Sequence, residues 1–286
     1  GNQEEKVIGI IVGMVFVIIG LCFKVSAAPF HMWTPDVYEG APTPVTAFLS
    51  SAPKVAAVAL FIRVLMQPFG SLDAEWRQVI IFVSILSMLI GAFGALKQTN
   101  VKRLMAYSSI GHVGYMLIGM AAGAIDGVQA VLIYLTTYVI MNLGFFACIM
   151  RMKRRGEAME KISDFAGMAK TNPLFALVIA ILMFSMAGIP PLAGCFGKIF
   201  IFRAALGSGL YTLAVIGVLS SVIAAFYYVR IVKLMYFDET EDEMDEELLP
   251  ELKFVLIGSG VFNALFFIFP TTLFDLTKIA AATLFL

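Results

Sequence analysis

The 286-residue sequence predicts an all-α, polytopic membrane protein, and three observations carry that prediction. The hydrophobic fraction is 60%, against roughly 45–50% in an ordinary globular chain. Charged residues make up 14%, about half the usual share of roughly 25%. Mean hydropathy is +0.91, which leaves too little polar surface to cover a water-facing globule. A net charge of zero provides no basic face for a polyanion, so a nucleic-acid binder is excluded.

The elements follow from bilayer dimensions. A hydrocarbon core about 30 Å thick needs roughly 20 apolar residues at 1.5 Å rise each. Eight stretches meet that need: 7–23, 45–66, 79–96, 104–122, 128–150, 174–203, 210–235 and 254–269. The first opens with Glu4, Glu5 and Lys6 and has no cleavage-like site, unlike a signal peptide. The tail, 271–286, carries Asp275 and Lys278 among apolar residues and is expected to lie along the interface. Alternation across eight spans puts twelve Lys and Arg on one side (Lys97, Lys102 and Arg103, then 151–170, 230–233 and Lys253) and five on the other: Lys6, Arg63, Arg77, Arg203 and Lys278. That bias makes the richer side cytoplasmic. Nine carboxylates in 238–251 lie on the same side and are expected to form a solvated loop, with partner docking as the alternative.

Three lysines remain. Lys24 ends the first apolar run, Lys54 sits about ten residues into the second, and Lys198 follows an interruption in the long stretch 174–203. An ionisable side chain near the bilayer centre costs about 2.5–3.5 kcal/mol on insertion scales, so it marks a functional site unless it snorkels to the headgroups. Snorkelling suits Lys24 and is strained for the other two. All twenty carboxylates fall outside the eight stretches. Desolvation disfavours the charged form of an amine without a counter-charge, and such an amine exchanges protons at working pH, as a proton relay requires. An acidic partner from elsewhere in an assembly is the alternative.

Breaks and polar faces complete the pattern. Gly188-Ile189-Pro190-Pro191 interrupts the 174–203 stretch, and unwound backbone at membrane depth must be buried in protein or line a wet cavity. Pro29, Pro35, Pro42 and Pro44 forbid one continuous helix after Lys24. Ser108, His112 and Tyr115 share one helix face, as do Tyr134, Tyr138 and Asn142. His112 is a natural relay element if water reaches it, and otherwise an interhelical hydrogen-bonder. Cys22, Cys148 and Cys195 lie in apolar runs without metal-ligand spacing and read as small core hydrophobes. Redox chemistry is therefore expected elsewhere.

Three long motifs then resemble one family. The stretch Phe23-Lys24-x-Ser26-x-x-Pro29-Phe30-His31-x-Trp33-Thr34-Pro35-Asp36-Val37-Tyr38-Glu39-Gly40-Ala41-Pro42-Thr43-Pro44 looks like the signature of the antiporter-like membrane subunits of respiratory complex I, in the form of their N branch. Asn100-Val101-Lys102-Arg103-Leu104-Met105-Ala106-Tyr107-Ser108-Ser109-Ile110-Gly111-His112-x-Gly114-Tyr115 resembles a second family stretch, and Ala187-Gly188-Ile189-Pro190-Pro191 with Gly194-x-Phe196-Gly197-Lys198 a third. The resemblance implies a fourteen-helix fold of two inverted five-helix repeats with broken helices, of which this chain would cover helices seven to fourteen. Residues 1–77 would end the first repeat, 78–236 would form the second, and 237–286 would supply the acidic loop, last helix and tail. It implies that the sequence is a fragment, lacking the first six helices and the glutamate that pairs with the seventh-helix lysine. Lys24 would be that lysine, Lys54 the central lysine of helix eight, Lys198 the helix-twelve lysine near the outer exit, and His112 a helix-ten group.

The same resemblance implies a proton-translocating subunit of a quinone-linked NADH dehydrogenase in the bacterial inner membrane. This chain would hold no cofactor, with quinone, NADH, FMN and iron–sulfur clusters in other subunits. Its partners would be other membrane-arm subunits, sister antiporter-like subunits among them, and the lipid bilayer. A multi-subunit cation/proton antiporter and a membrane-arm scaffold are the alternatives.

Overall fold

The described residues form twelve α-helices, and each of the eight apolar runs is helical. The computed structural model describes residues 2–239, 244, 245 and 249–285, with side chains from Ile8 onward. Of the acidic run, Glu241, Asp242, Glu243, Glu246 and Glu247 lie outside the described residues, as do the side chains of Glu4, Glu5 and Lys6. In order the helices are α1 (Asn2–Val25), α2 (Trp33–Gly40), α3 (Thr43–Met66), α4 (Asp73–Leu96), α5 (Val101–Ala122) and α6 (Ala124–Arg151). A two-stranded hairpin, β1 (Lys153–Arg154) and β2 (Glu157–Ala158), then precedes α7 (Met168–Thr171). The chain continues with α8 (Pro173–Ala187), α9 (Ala193–Gly207), α10 (Tyr211–Phe237), α11 (Pro250–Leu265) and α12 (Pro270–Ala282).

Among the described residues, six helices are long and apolar enough to cross a membrane: α1, α3, α4, α6, α10 and α11, with α4 and α11 extended by flanking turns. The other two expected stretches depart from that simple form. Helix α5 has 22 residues but carries Lys102, Arg103, Ser108, Ser109 and His112. The stretch 174–203 is split into two 15-residue helices, α8 and α9, neither able to span 30 Å alone.

Every residue of α5 except Arg103 and Tyr107 is buried, which makes it the central helix. Its polar face must therefore meet polar partners inside the bundle. Glycines bring the backbones close enough for that: a Cβ on Gly91 of α4 would sit 2.5 Å from the Gly111 nitrogen of α5. The Asn100 side chain caps the helix, accepting from the backbone N–H groups of Lys102 and Arg103. The apolar core forms two clusters, one around Phe61, Trp76 and Met116 and the other around Phe145, Phe165 and Met183. On α6 the boundary between them falls between Tyr138 and Met141.

The cation-rich segments gather at one end of the bundle. The Val101 N–H bonds the Glu160 carbonyl, the Gly167 N–H bonds the Leu234 carbonyl, and Arg230 reaches the Leu96 carbonyl. The described part of the acidic run is not free of this end. Asp238 pairs with Lys233 and Glu239 with Lys170, while Asp245 accepts from the N–H groups of Gly156 and Arg155 at the hairpin turn, 2.9 Å each. Those two amides hold the Asp245 carboxyl below its ordinary range. The tail is docked as well: Gln129 of α6 donates to the Phe274 carbonyl of α12, and Phe274 packs on Phe200 with ring centroids 4.5 Å apart.

Candidate functional site

Lys54 lies in the fourth turn of α3, directly after Pro53, which offers no N–H to the carbonyl of Leu49. Its side chain is buried, donates to Ser109 Oγ of α5 and sits 5.8 Å from the centroid of the Tyr38 ring. The donors then run in one direction. Tyr138 Oη donates to the Ser50 carbonyl at 3.1 Å, so the 3.0 Å bond between Ser109 and Tyr138 is donated by Ser109. Lys54, Ser109, Tyr138 and Ser50 thus form a polarised row linking α3, α5 and α6. Asn142 supports it, donating to Ser50 Oγ at 2.6 Å.

One turn further along α5, His112 is 3% exposed and held from both sides. Its Nδ1 shares a hydrogen with Tyr134 Oη at 2.7 Å, and its Nε2 with Tyr228 Oη at 3.0 Å. A neutral imidazole has one donor and one acceptor, so one tyrosine gives and the other receives. Tyr228 also contacts Ser108 Oγ at 2.5 Å. The imidazole packs on the Tyr138 ring at a centroid distance of 5.1 Å, which brings the two hydrogen-bonded rows side by side.

Lys198 is placed by the helix break. Gly188 takes the left-handed conformation (φ 88°) that ends α8, and the prolines keep the chain from rewinding until α9. Lys198 reaches back across this gap, donating to the Ala187 carbonyl at 2.7 Å and to Ser221 Oγ of α10 at 2.6 Å. An ammonium at the C-terminal end of a half-helix meets the negative end of its dipole. The Tyr115 ring faces it at 5.2 Å, and Tyr115 Oη bonds Ser220 at 3.1 Å. A cavity of about 10 Å³ lies between Lys198, His112, Tyr115 and Tyr228, about the volume that admits one water.

The structure thus brings Lys54, His112 and Lys198 into one buried region, and it leaves Lys24 apart. Lys24 is exposed in the last turn of α1. Sequence reasoning missed Ser50, Ser109, Ser221 and Tyr228. A signal existed for part of this set, because Ser221 and Tyr228 stand at i and i+7 on α10 and so share a face.

It also missed how two of the recognised motifs bind each other. Arg103 Nη1 of α5 contacts Asp36 at 2.7 Å and Glu39 at 2.9 Å, so one guanidinium holds both carboxylates of α2. Beside it, buried Lys102 pairs with Glu160 at 2.7 Å and donates to the Ala41 carbonyl at 3.0 Å. These contacts pin α2, and with it Tyr38, over Lys54. Arg103→Ala should lower stability by only about 1 kcal/mol, because the pairs are partly exposed. Amide hydrogen exchange across residues 33–40 should nevertheless rise, and unchanged exchange there would remove the clamp.

The transmembrane family described as NADH:quinone oxidoreductase/Mrp antiporter matches residues 2–224. The chain belongs to that family. This family member is 59% identical to NADH-quinone oxidoreductase subunit N of Rhodospirillum rubrum over 96% of its own length and 57% of that relative. It is 57% identical to the subunit N of Parvibaculum lavamentivorans, covering 97% of this chain and 57% of that one. The chain therefore spans a little over half the length of the curated relatives it matches. Among solved structures it is similar to a chain of respiratory complex I from Thermus thermophilus with bound aureothin, at 32% identity and a TM-score of 0.77, covering 90% of this chain and 56% of that chain. A chain of the Mrp complex from Dietzia sp. superposes with a TM-score of 0.85 at 23% identity, over 96% of this chain and 59% of that chain, a likeness of fold. The membrane-embedded, antiporter-like all-α fold expected from the sequence is thus the fold of this family.

Proposed function

We propose that this chain carries protons across the membrane through Lys54, His112 and Lys198, as part of a quinone-linked NADH dehydrogenase. One observation carries the reading. Two buried ammonium groups flank a buried imidazole along a row of hydroxyls, and among the described residues no carboxylate pairs with either lysine. A charge arriving beside an amine shifts its proton affinity, so a change of charge next to either lysine would move a proton along the row. The scale is suitable: moving one charge across 100 mV requires about 2.3 kcal/mol, and a one-unit change in an amine's pKa corresponds to about 1.36 kcal/mol.

Quinone reduction would occur in other subunits, which would hold NADH, FMN and the iron–sulfur clusters, and the assembly would reside in a bacterial inner membrane. The names of the 57–59% identical relatives support this setting. Lys24 would join the relay through a carboxylate supplied from outside this chain's length. The test is Lys198→Ala in the full-length subunit within its assembled complex, with NADH oxidation and proton uptake followed in inverted vesicles. Pumping should fall about tenfold or more, the effect of ~1.4 kcal/mol on the transfer step, while assembly persists. Full pumping would overturn the relay. Sodium-dependent exchange without NADH oxidation would favour the cation/proton antiporter reading instead.

A further inference from the structure

We propose that the groove between α8 and α11 binds an anionic phospholipid, with its phosphate at the cation-rich end of the bundle. The groove has a volume of about 670 Å³, within the roughly 300–1,000 Å³ range of small-molecule sites. One wall is a stripe along α11 from Lys253 through Leu256, Gly260 and Ala264 to Leu265. Those twelve steps at 1.5 Å rise make a channel about 18 Å long running into hydrocarbon depth. The other wall is Leu174, Leu177, Val178 and Ile181 of α8. Its outer rim is open, with Leu174 78% exposed and Ile257 50% exposed. Water does not fill an apolar trough at that depth, so an apolar occupant must.

The open end selects a charge. Arg151, at the end of α6, and Lys253, in the first turn of α11, both line it, and no carboxylate does among the described lining residues. Arg151 stacks on Phe175, its guanidinium carbon 4.2 Å from the ring centroid, and reaches Asn172 with one nitrogen at 3.4 Å. Its other terminal nitrogen, Nη1, is buried without a hydrogen-bond partner among the described residues. A fixed guanidinium fork with a spare donor matches a phosphate oxygen. The N-termini of α8 and α11 open at the same end, and neither has a side-chain cap bond, so both helix dipoles favour an anion there. An acyl chain along the 18 Å trough and a phosphodiester on Arg151 and Lys253 satisfy both halves of the site.

The test uses the full-length subunit in its complex, carried in nanodiscs of phosphatidylcholine with a minority of dioleoyl phosphatidylglycerol. Lipid retained after extraction is measured by mass spectrometry, and a photo-crosslinker at Val261 reports the groove's occupant. Phosphatidylglycerol should be retained preferentially and crosslinked at Val261. Lys253→Gln, at an exposed position, should weaken the preference about fivefold, the contribution of one cation near anionic lipid, and Arg151→Gln combined with it should abolish the preference. Ala264→Trp, which fills the deep end, should lower retention of both lipids. Equal retention of the two lipids by the unaltered protein would overturn the proposal. So would an unchanged preference in Lys253→Gln, or a crosslink to a protein segment in place of lipid.

Discussion

Replacing Lys54 with Met should abolish proton pumping while leaving the protein as stable as before or more so. The side chain is 1% exposed, and its contacts are one hydroxyl and one aromatic face. Holding an ammonium at membrane depth costs about 2.5–3.5 kcal/mol. Met has nearly the same shape and no charge, so the substitution removes that cost and keeps the packing. Ser109 loses a donor to its oxygen but still donates to Tyr138, which limits the loss to one modest bond. The expected result is an unfolding midpoint that is unchanged or higher by the equivalent of ~1–3 kcal/mol. NADH-driven proton uptake should fall by more than about tenfold. The two readouts separate a relay from a scaffold. A lysine kept for architecture would show loss of stability, and one kept for nothing would show neither effect.

The largest effect on folding is expected at Gly194. A Cβ there would lie 1.9 Å from the Ser185 carbonyl oxygen, closer than any side chain can approach backbone. The contact cannot be relieved locally, because Ser185 is tied on both sides. Its hydroxyl accepts from the Gly194 N–H at 2.9 Å and donates to Asn263 of α11 at 2.7 Å. Gly194→Val should therefore separate α8 from α9 and pull Lys198 off the Ala187 carbonyl. We expect a loss of ~3 kcal/mol or more, seen as absence of the folded subunit from membranes. Gly258→Ala is the matched control, since nothing lies within 4 Å of the added carbon; a helix-interior change of that kind gains about 0.5–1 kcal/mol. Normal accumulation of Gly194→Val would show that the break is not a packed joint.

Much of the site was legible because its signals are local. Lys54 and Lys198 stand out against apolar neighbours, and Pro190-Pro191 announces its own missing donors. Lys24 differs already in sequence, ending its apolar run where snorkelling is easy, and it lies exposed on α1; which face of that helix packs inward is not readable from an apolar run. The acidic run was equally opaque: Asp245 is bound by hairpin amides about ninety residues earlier in the chain. Arg103 belonged to one recognised motif and Asp36 and Glu39 to another, but nothing in either stretch pairs them across more than sixty residues.

The residues alone place the chain in a bilayer, locate its apolar helices, mark the break in the 174–203 span and show which polar residues share a face. Each of these depends on hydropathy, proline chemistry or the 3.6-residue period, all properties of neighbouring residues. Which polar faces meet is set by the packing of the helices. The pairing of His112 with Tyr228 spans 116 residues, and it exists because α5 and α10 are held against one another within a bundle whose backbones approach closely at Gly91 and Gly111. Buried hydroxyls require partners, but their choice rests on how the helices pack.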